Sequence, residues 1–120
     1  MQTYECLKGP GYWYLATPYS KYPAGLEAAF QMAAKAAAAL VKAGVGVFSP
    51  IAHSHPIAIH GEIDAYSHEI WLPSDRPLMD AAKGMLIVTA AGYRESVGIQ
   101  HEMEVFEAAG KPIMYMGPPL

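Results

Sequence analysis

Met85-Leu86-Ile87-Val88-Thr89 and, a loop later, Ser96-Val97-Gly98-Ile99-Gln100-His101-Glu102-Met103-Glu104-Val105-Phe106 decide the fold. The first run is apolar and carries β-branched residues, as a strand covered on both faces does. The second run has a helical period. With Ile99 at zero and about 100° per residue, Met103 and Phe106 fall within about 40° of it and form a core stripe. Ser96 reads as the N-cap of a helix over 97–109. Gly110 ends that helix, and Pro112-Ile113-Met114-Tyr115 reads as the last strand. Strand, helix and strand in this order make a parallel pair joined by a right-handed crossover.

Upstream, Gly9-Pro10-Gly11 closes a short arm. Tyr12-Trp13-Tyr14-Leu15-Ala16 reads as a buried aromatic strand that stops before Pro18. Residues 24–43 read as the longest helix, with Leu26, Phe30, Ala33, Ala37, Leu40 and Val41 inward. Glu27, Gln31 and Lys35 follow at i, i+4 on its wet side, and Gly44 suits the position after its end. Val45-Gly46-Val47-Phe48 is a second strand, stopped by Ser49-Pro50. Residues 51–61, rich in His and Pro, read as a loop. Residues 62–71 read as a short helix carrying Ile63, Tyr66, Ile70 and Trp71. Pro73-Ser74-Asp75 opens another over 74–82, with Leu78, Met79 and Ala82 inward. The order β-α-β-(α-α)-β-α-β predicts a single α/β domain over residues 1–120. Its architecture is a doubly wound, flavodoxin- or Rossmann-like sheet of four or five mainly parallel strands flanked by helices. Ligands bind such sheets beyond the C-terminal strand ends.

Composition narrows the function. The 120 residues are 52% hydrophobic and 16% charged, with a formal net charge of −3. That excludes a disordered tail, and the basic footprint of a nucleic-acid binder is missing. The single Cys6 forms no internal bridge, which fits a reducing cytosol. Neither a signal peptide nor an apolar run long enough for a membrane span is visible. The expectation is a cytoplasmic protein with no nucleic-acid polymer or membrane as partner.

Chemistry concentrates in the second run. Glu102 falls near 300°, at the inward margin of the stripe, whereas Glu104 near 140° and Glu107 near 80° point to water. An inward carboxylate costs free energy unless it is paired or hydrogen-bonded. It either reaches solvent at the margin or stands at the mouth of the sheet as nucleophile or general base. Ser96 and Gly98 lie at the helix N-terminus, where free amides favour anions and hydroxyls, although Ser96 also reads as a plain cap. The loop Ala16-Thr17-Pro18-Tyr19-Ser20-Lys21 offers hydroxyls and a cation without a P-loop or GxGxxG pattern. Asp75 is either a helix cap or a second carboxylate of the site. His53, His55 and His60 line a polar loop; a metal-dependent hydrolase built on His53 and His55 is a weaker reading. No metal and no other cofactor is expected.

These residues carry a resemblance. Tyr14-Leu15-Ala16-Thr17-Pro18-Tyr19-Ser20, Phe48-Ser49-Pro50-Ile51, Asp75-x-x-Leu78, Ser96-x-Gly98-x-x-x-Glu102 and Gly110-Lys111-Pro112-Ile113 follow in order. Together, over about residues 12–115, the set resembles the nucleoside 2-deoxyribosyltransferase-like superfamily. It is closest to a small bacterial and phage branch known as a domain of unknown function. The resemblance implies an N-glycosidase or deoxyribosyltransferase acting on a small-molecule nucleoside or nucleoside 5′-monophosphate. Glu102 would be the nucleophile that forms a glycosyl-enzyme. Asp75 would orient the sugar hydroxyls or assist proton transfer. Ser96 would meet a 5′-phosphate, and Tyr14, Thr17 and Tyr19 would line the first-loop side, with Gly98 admitting the ligand to the backbone. The chain departs from nucleotide-hydrolyzing relatives in its first loop, which holds Thr-Pro-Tyr-Ser-Lys in place of Gly and Arg. A non-catalytic nucleotide-binding module of the same fold is the alternative. Relatives of this kind form homo-oligomers, so a dimer or tetramer is expected.

Overall fold

A computed structural model describes residues 4–119. Among them, four strands form one parallel sheet: β1 (Trp13–Ala16), β2 (Val47–Phe48), β3 (Gly84–Val88) and β4 (Ile113–Met116). Their order is β2-β1-β3-β4. Register is set by pairs such as Tyr14 with Met85 and Leu86 with Met114. Helix α1 (Leu26–Lys42) joins β1 to β2. Helices α2 (Pro50–Gly61) and α3 (His68–Ala81) join β2 to β3, and α4 (Val97–Ala108) joins β3 to β4. The α/β, doubly wound architecture is as expected, with four strands.

Alternation along the strands divides the core. Trp13, Leu15, Leu86 and Val88 point to one face and pack with Met32, Ala36 and Leu40 of α1. Tyr14, Ala16, Met85 and Ile87 point to the other and pack with Met79 of α3 and with Ile99 and Phe106 of α4. This is the period of two expected of a pleated strand. The chain moves one way from β1 to β2 and the other way from β2 through β3 to β4. The reversal opens a crevice between the C-terminal ends of β1 and β3.

Several expectations need correction. Residues 50–61 are helix, not loop. Ser49 caps it, its Oγ accepting from the Ala52 amide at 3.1 Å, and Pro50 sits in the first turn. Proline is at home there, because the amide it lacks would have had no intrahelical partner. The two short helices expected over 62–71 and 74–82 are instead the single helix α3, which runs through Pro73 and Pro77. Each proline removes one backbone bond, and packing of Met79 into the core outweighs that loss. Asp75 is therefore inside a helix and is not its cap. Helix α1 is also turned relative to the expected face. Ala29, Met32, Ala33, Ala36 and Leu40 are buried, whereas Val41 is 63% exposed. Alanine brings the helix axis close to the sheet, leaving larger Leu26 and Phe30 at the margins of the contact. Helix α4 follows the expectation, with Ser96 Oγ accepting from the Ile99 amide at 3.2 Å. No helix among the described residues is long and apolar enough to cross a membrane.

Candidate active site

The crevice is walled by the loop after β1, the start of α2, the first half of α3 and the N-terminal half of α4. Gly92 draws two of these walls together. At φ 92°, a Cβ there would stand 2.3 Å from the Lys21 carbonyl oxygen, so the loop after β3 can press on the first loop only through glycine.

Of the residues singled out in the sequence, Thr17, Tyr19, Asp75, Ser96, Gly98 and Glu102 all line this one cleft. They come from three separate segments, the loop after β1, α3 and α4 with its cap, brought together by the strand order. Tyr14 lies beneath the cleft rather than in its wall. Its ring is fully buried between Phe48 and Phe106, with centroids 6.0 and 5.6 Å away. Its hydroxyl donates to Glu102 Oε2 at 2.8 Å. Burial drives the Tyr14 pKa far above the usual phenol range, with the Glu102 and Asp75 carboxylates adding to it. The group is thus a permanent donor.

Glu102 lies in the second turn of α4 and is partly buried. Its pKa is raised to about 8, first of all by burial; the Tyr14 hydrogen bond works against the rise and the nearby Asp75 charge adds to it. Asp75 is raised to about 6 by burial, with His53 partly offsetting the rise. The pair thus resists carrying two negative charges at once. Asp75 Oδ1 and Thr17 Oγ1 are buried and have no hydrogen-bond partner among the described residues. Orphaned buried polar atoms are costly, so two in one cleft mark positions that a polar ligand would satisfy.

The histidines do not form a joint metal site. His53 and His55 are two residues apart on α2, so they point to different sides. His53 packs against the Phe48 ring, with centroids 5.5 Å apart. His55 is 3% exposed and lies between Tyr19 and Glu27. Among the described residues no group of three His, Cys, Asp or Glu is placed to hold a metal ion.

Some contributors escaped the sequence. Tyr66 and Trp71 add aromatic surface to the cleft, and Ser54 adds a hydroxyl. The cap-and-proline pattern Ser49-Pro50 was the available signal that Ser54 lies on a helix facing the site. The Tyr14–Glu102 bond spans 88 residues and had no local signal.

No curated protein matches this chain. The sequence model of the family described as Domain of unknown function (DUF1937) matches residues 11–118, nearly the whole chain, and the protein belongs to that family.

Proposed function

We propose that this cleft breaks or transfers the N-glycosidic bond of a nucleoside or nucleoside 5′-monophosphate, with Glu102 as nucleophile. The observation that carries the reading is the Tyr14–Glu102 pair beside an unpartnered Asp75 oxygen in one crevice. A sugar supplies what the cleft lacks, namely hydroxyl donors for Asp75 and a partner for Thr17. Scission leaves oxocarbenium character at the anomeric carbon, which a carboxylate stabilises. A Glu102 oxygen then bonds to that carbon as the bond to the base nitrogen breaks. The bonding pair leaves with the base, which takes up a proton. Water or a second base attacks the same carbon from the opposite side and releases the Glu102 carboxylate, so configuration is retained overall. Asp75 orients the sugar hydroxyls or handles the proton. Ser96, at the positive end of α4, suits a 5′-phosphate.

Glu102 must be ionised to attack, yet it holds its proton up to about pH 8. Positive charge developing on the sugar favours the ionised form. The same protonated state supports a second reading, a non-catalytic nucleotide-binding module. Nucleosides and 5′-nucleotides offered as a panel, with release of base followed by mass spectrometry, separate the two. Turnover with a sugar adduct trapped on Glu102 is the expected result. Equal rates for wild type and Glu102→Ala remove the nucleophile assignment. Thermal stabilisation by a ligand without product, retained in Glu102→Gln, establishes the binding module instead.

A further inference from the structure

Behind the cleft runs a hydrogen-bonded chain that the glycosyl-transfer chemistry does not use. The Tyr19 hydroxyl lies 2.6 Å from His55 Nδ1, and His55 Nε2 lies 3.2 Å from Glu27 Oε1. The imidazole is buried, with Phe30 stacked on it at 4.7 Å and 20°. Glu27 lies on the first turn of α1, and its other oxygen accepts from Gln31 Nε2 at 3.1 Å. These bonds from Gln31 and His55 hold Glu27 below its usual carboxylate range, so it is an acceptor only.

Direction follows from the ends of the chain. A carboxylate has no proton to give, so His55 Nε2 must carry the hydrogen and donate it. In the neutral imidazole Nδ1 is then a bare acceptor. With that single ring proton on Nε2, Tyr19 turns its O–H toward Nδ1, leaving only oxygen lone pairs for the cleft. Burial raises the Tyr19 pKa, so the phenol keeps the proton it donates.

We infer that Tyr19, held by His55 and Glu27, acts as a fixed hydrogen-bond acceptor that selects nucleobases bearing an exocyclic amino group. This rests on the nucleoside reading of the cleft. The carboxylates Glu102 and Asp75 mark the sugar end. Tyr19 and Tyr66, whose rings lie 6.4 Å apart, mark the aromatic end. A base, which has a π face, belongs at the aromatic end. There an amino group meets the Tyr19 oxygen as donor to acceptor, whereas an oxo group meets it lone pair to lone pair. Glu27 and His55 touch no ligand in this arrangement and are positioning residues.

The test is calorimetric binding of four ligands to the Glu102→Gln protein, which does not consume them. 2′-Deoxyadenosine and 2′-deoxycytidine bind roughly tenfold more tightly than 2′-deoxyinosine and 2′-deoxyuridine, the size of one hydrogen bond. Tyr19→Phe in the same background erases the preference. Glu27→Ala, at an exposed side chain, weakens it by freeing the imidazole tautomer. Nitrogen NMR of the unmutated protein finds the His55 proton on Nε2. Equal affinity for amino and oxo bases overturns the inference and leaves the glycosyl-transfer proposal standing. A proton on Nδ1, alone or together with one on Nε2, overturns it as well. Failure of all four ligands to bind overturns the nucleoside reading and this inference with it.

Discussion

The two faces of the sheet are built from the same strands and differ in kind. Toward α1, Trp13, Leu15, Leu86 and Val88 meet Met32, Ala36 and Leu40, an almost wholly apolar contact. Toward α3 and α4, alternate residues of those strands meet Ile99, Phe106 and Met79, but Tyr14 threads a hydroxyl through this layer to Glu102. One face gains its stability chiefly from apolar burial. The other gives some of it up to hold an acid where water is scarce. The contrast teaches that a four-residue strand can serve both purposes, because its pleat separates structural from chemical side chains. Substitutions on the two faces should therefore fail in different ways.

The largest expected loss of stability belongs to the apolar face. Leu40 is fully buried, and Leu40→Ala removes its contacts and leaves a cavity, costing about 2–5 kcal/mol. Denaturant unfolding measures this. The folded fraction should keep its ligand preferences and pH profile, and a changed profile would mean that the faces are coupled.

On the chemical face, Glu102→Gln should stabilise. The folded Glu102 titrates near pH 8, well above an unfolded glutamate at about 4.3. Between those values the folded state holds the extra proton, so stability falls as pH rises through that window. Glutamine carries no such dependence. The gain in Tm should thus be near zero at pH 4 and reach about 5 °C or more at pH 8. A gain independent of pH would assign the effect to packing.

The same division governs how much of the molecule could be read from its residues. The strand Gly84–Val88 and the capped helix after it were legible, since an apolar run and a serine cap are local signals. Glu102 was legible from helical period, because its neighbours Glu104 and Glu107 had to point elsewhere. The segment from Pro50 to Ala81 was not. Proline there reads as a breaker, but its cost in a helix is local, whereas the burial of His55, Ala58 and Met79 that offsets it is tertiary. The Tyr19–His55–Glu27 chain was hidden for the same reason. Glu27 read as part of a wet i, i+4 row and His55 as a loop residue. Only the packing of α2 against α1 joins them.

Tyr14→Phe sharpens the comparison with a smaller effect. It deletes the hydroxyl that reaches Glu102 and keeps the ring between Phe48 and Phe106. Removing a donor to the carboxylate raises the Glu102 pKa further. If ionised Glu102 is the nucleophile, kcat/KM climbs with pH to a plateau above about 8 in the wild type. In the variant that limb moves to higher pH, and the rate at pH 7 falls roughly tenfold. An unmoved limb would mean that the rate reports another group.

The smallest effect is expected at Ser96, where fold and site share one residue. Its Oγ accepts from the Ile99 amide, and the side chain is buried at the mouth of the cleft. Ser96→Ala should cost about 1 kcal/mol as a lost cap, seen as a modest fall in Tm. A cap with no further role would change all ligands alike. If the hydroxyl also receives a 5′-phosphate, KM rises more for nucleoside 5′-monophosphates than for the nucleosides themselves, while kcat for the nucleosides holds. The ratio of the two KM changes therefore separates helix capping from phosphate binding at one side chain, a distinction that stability alone would miss.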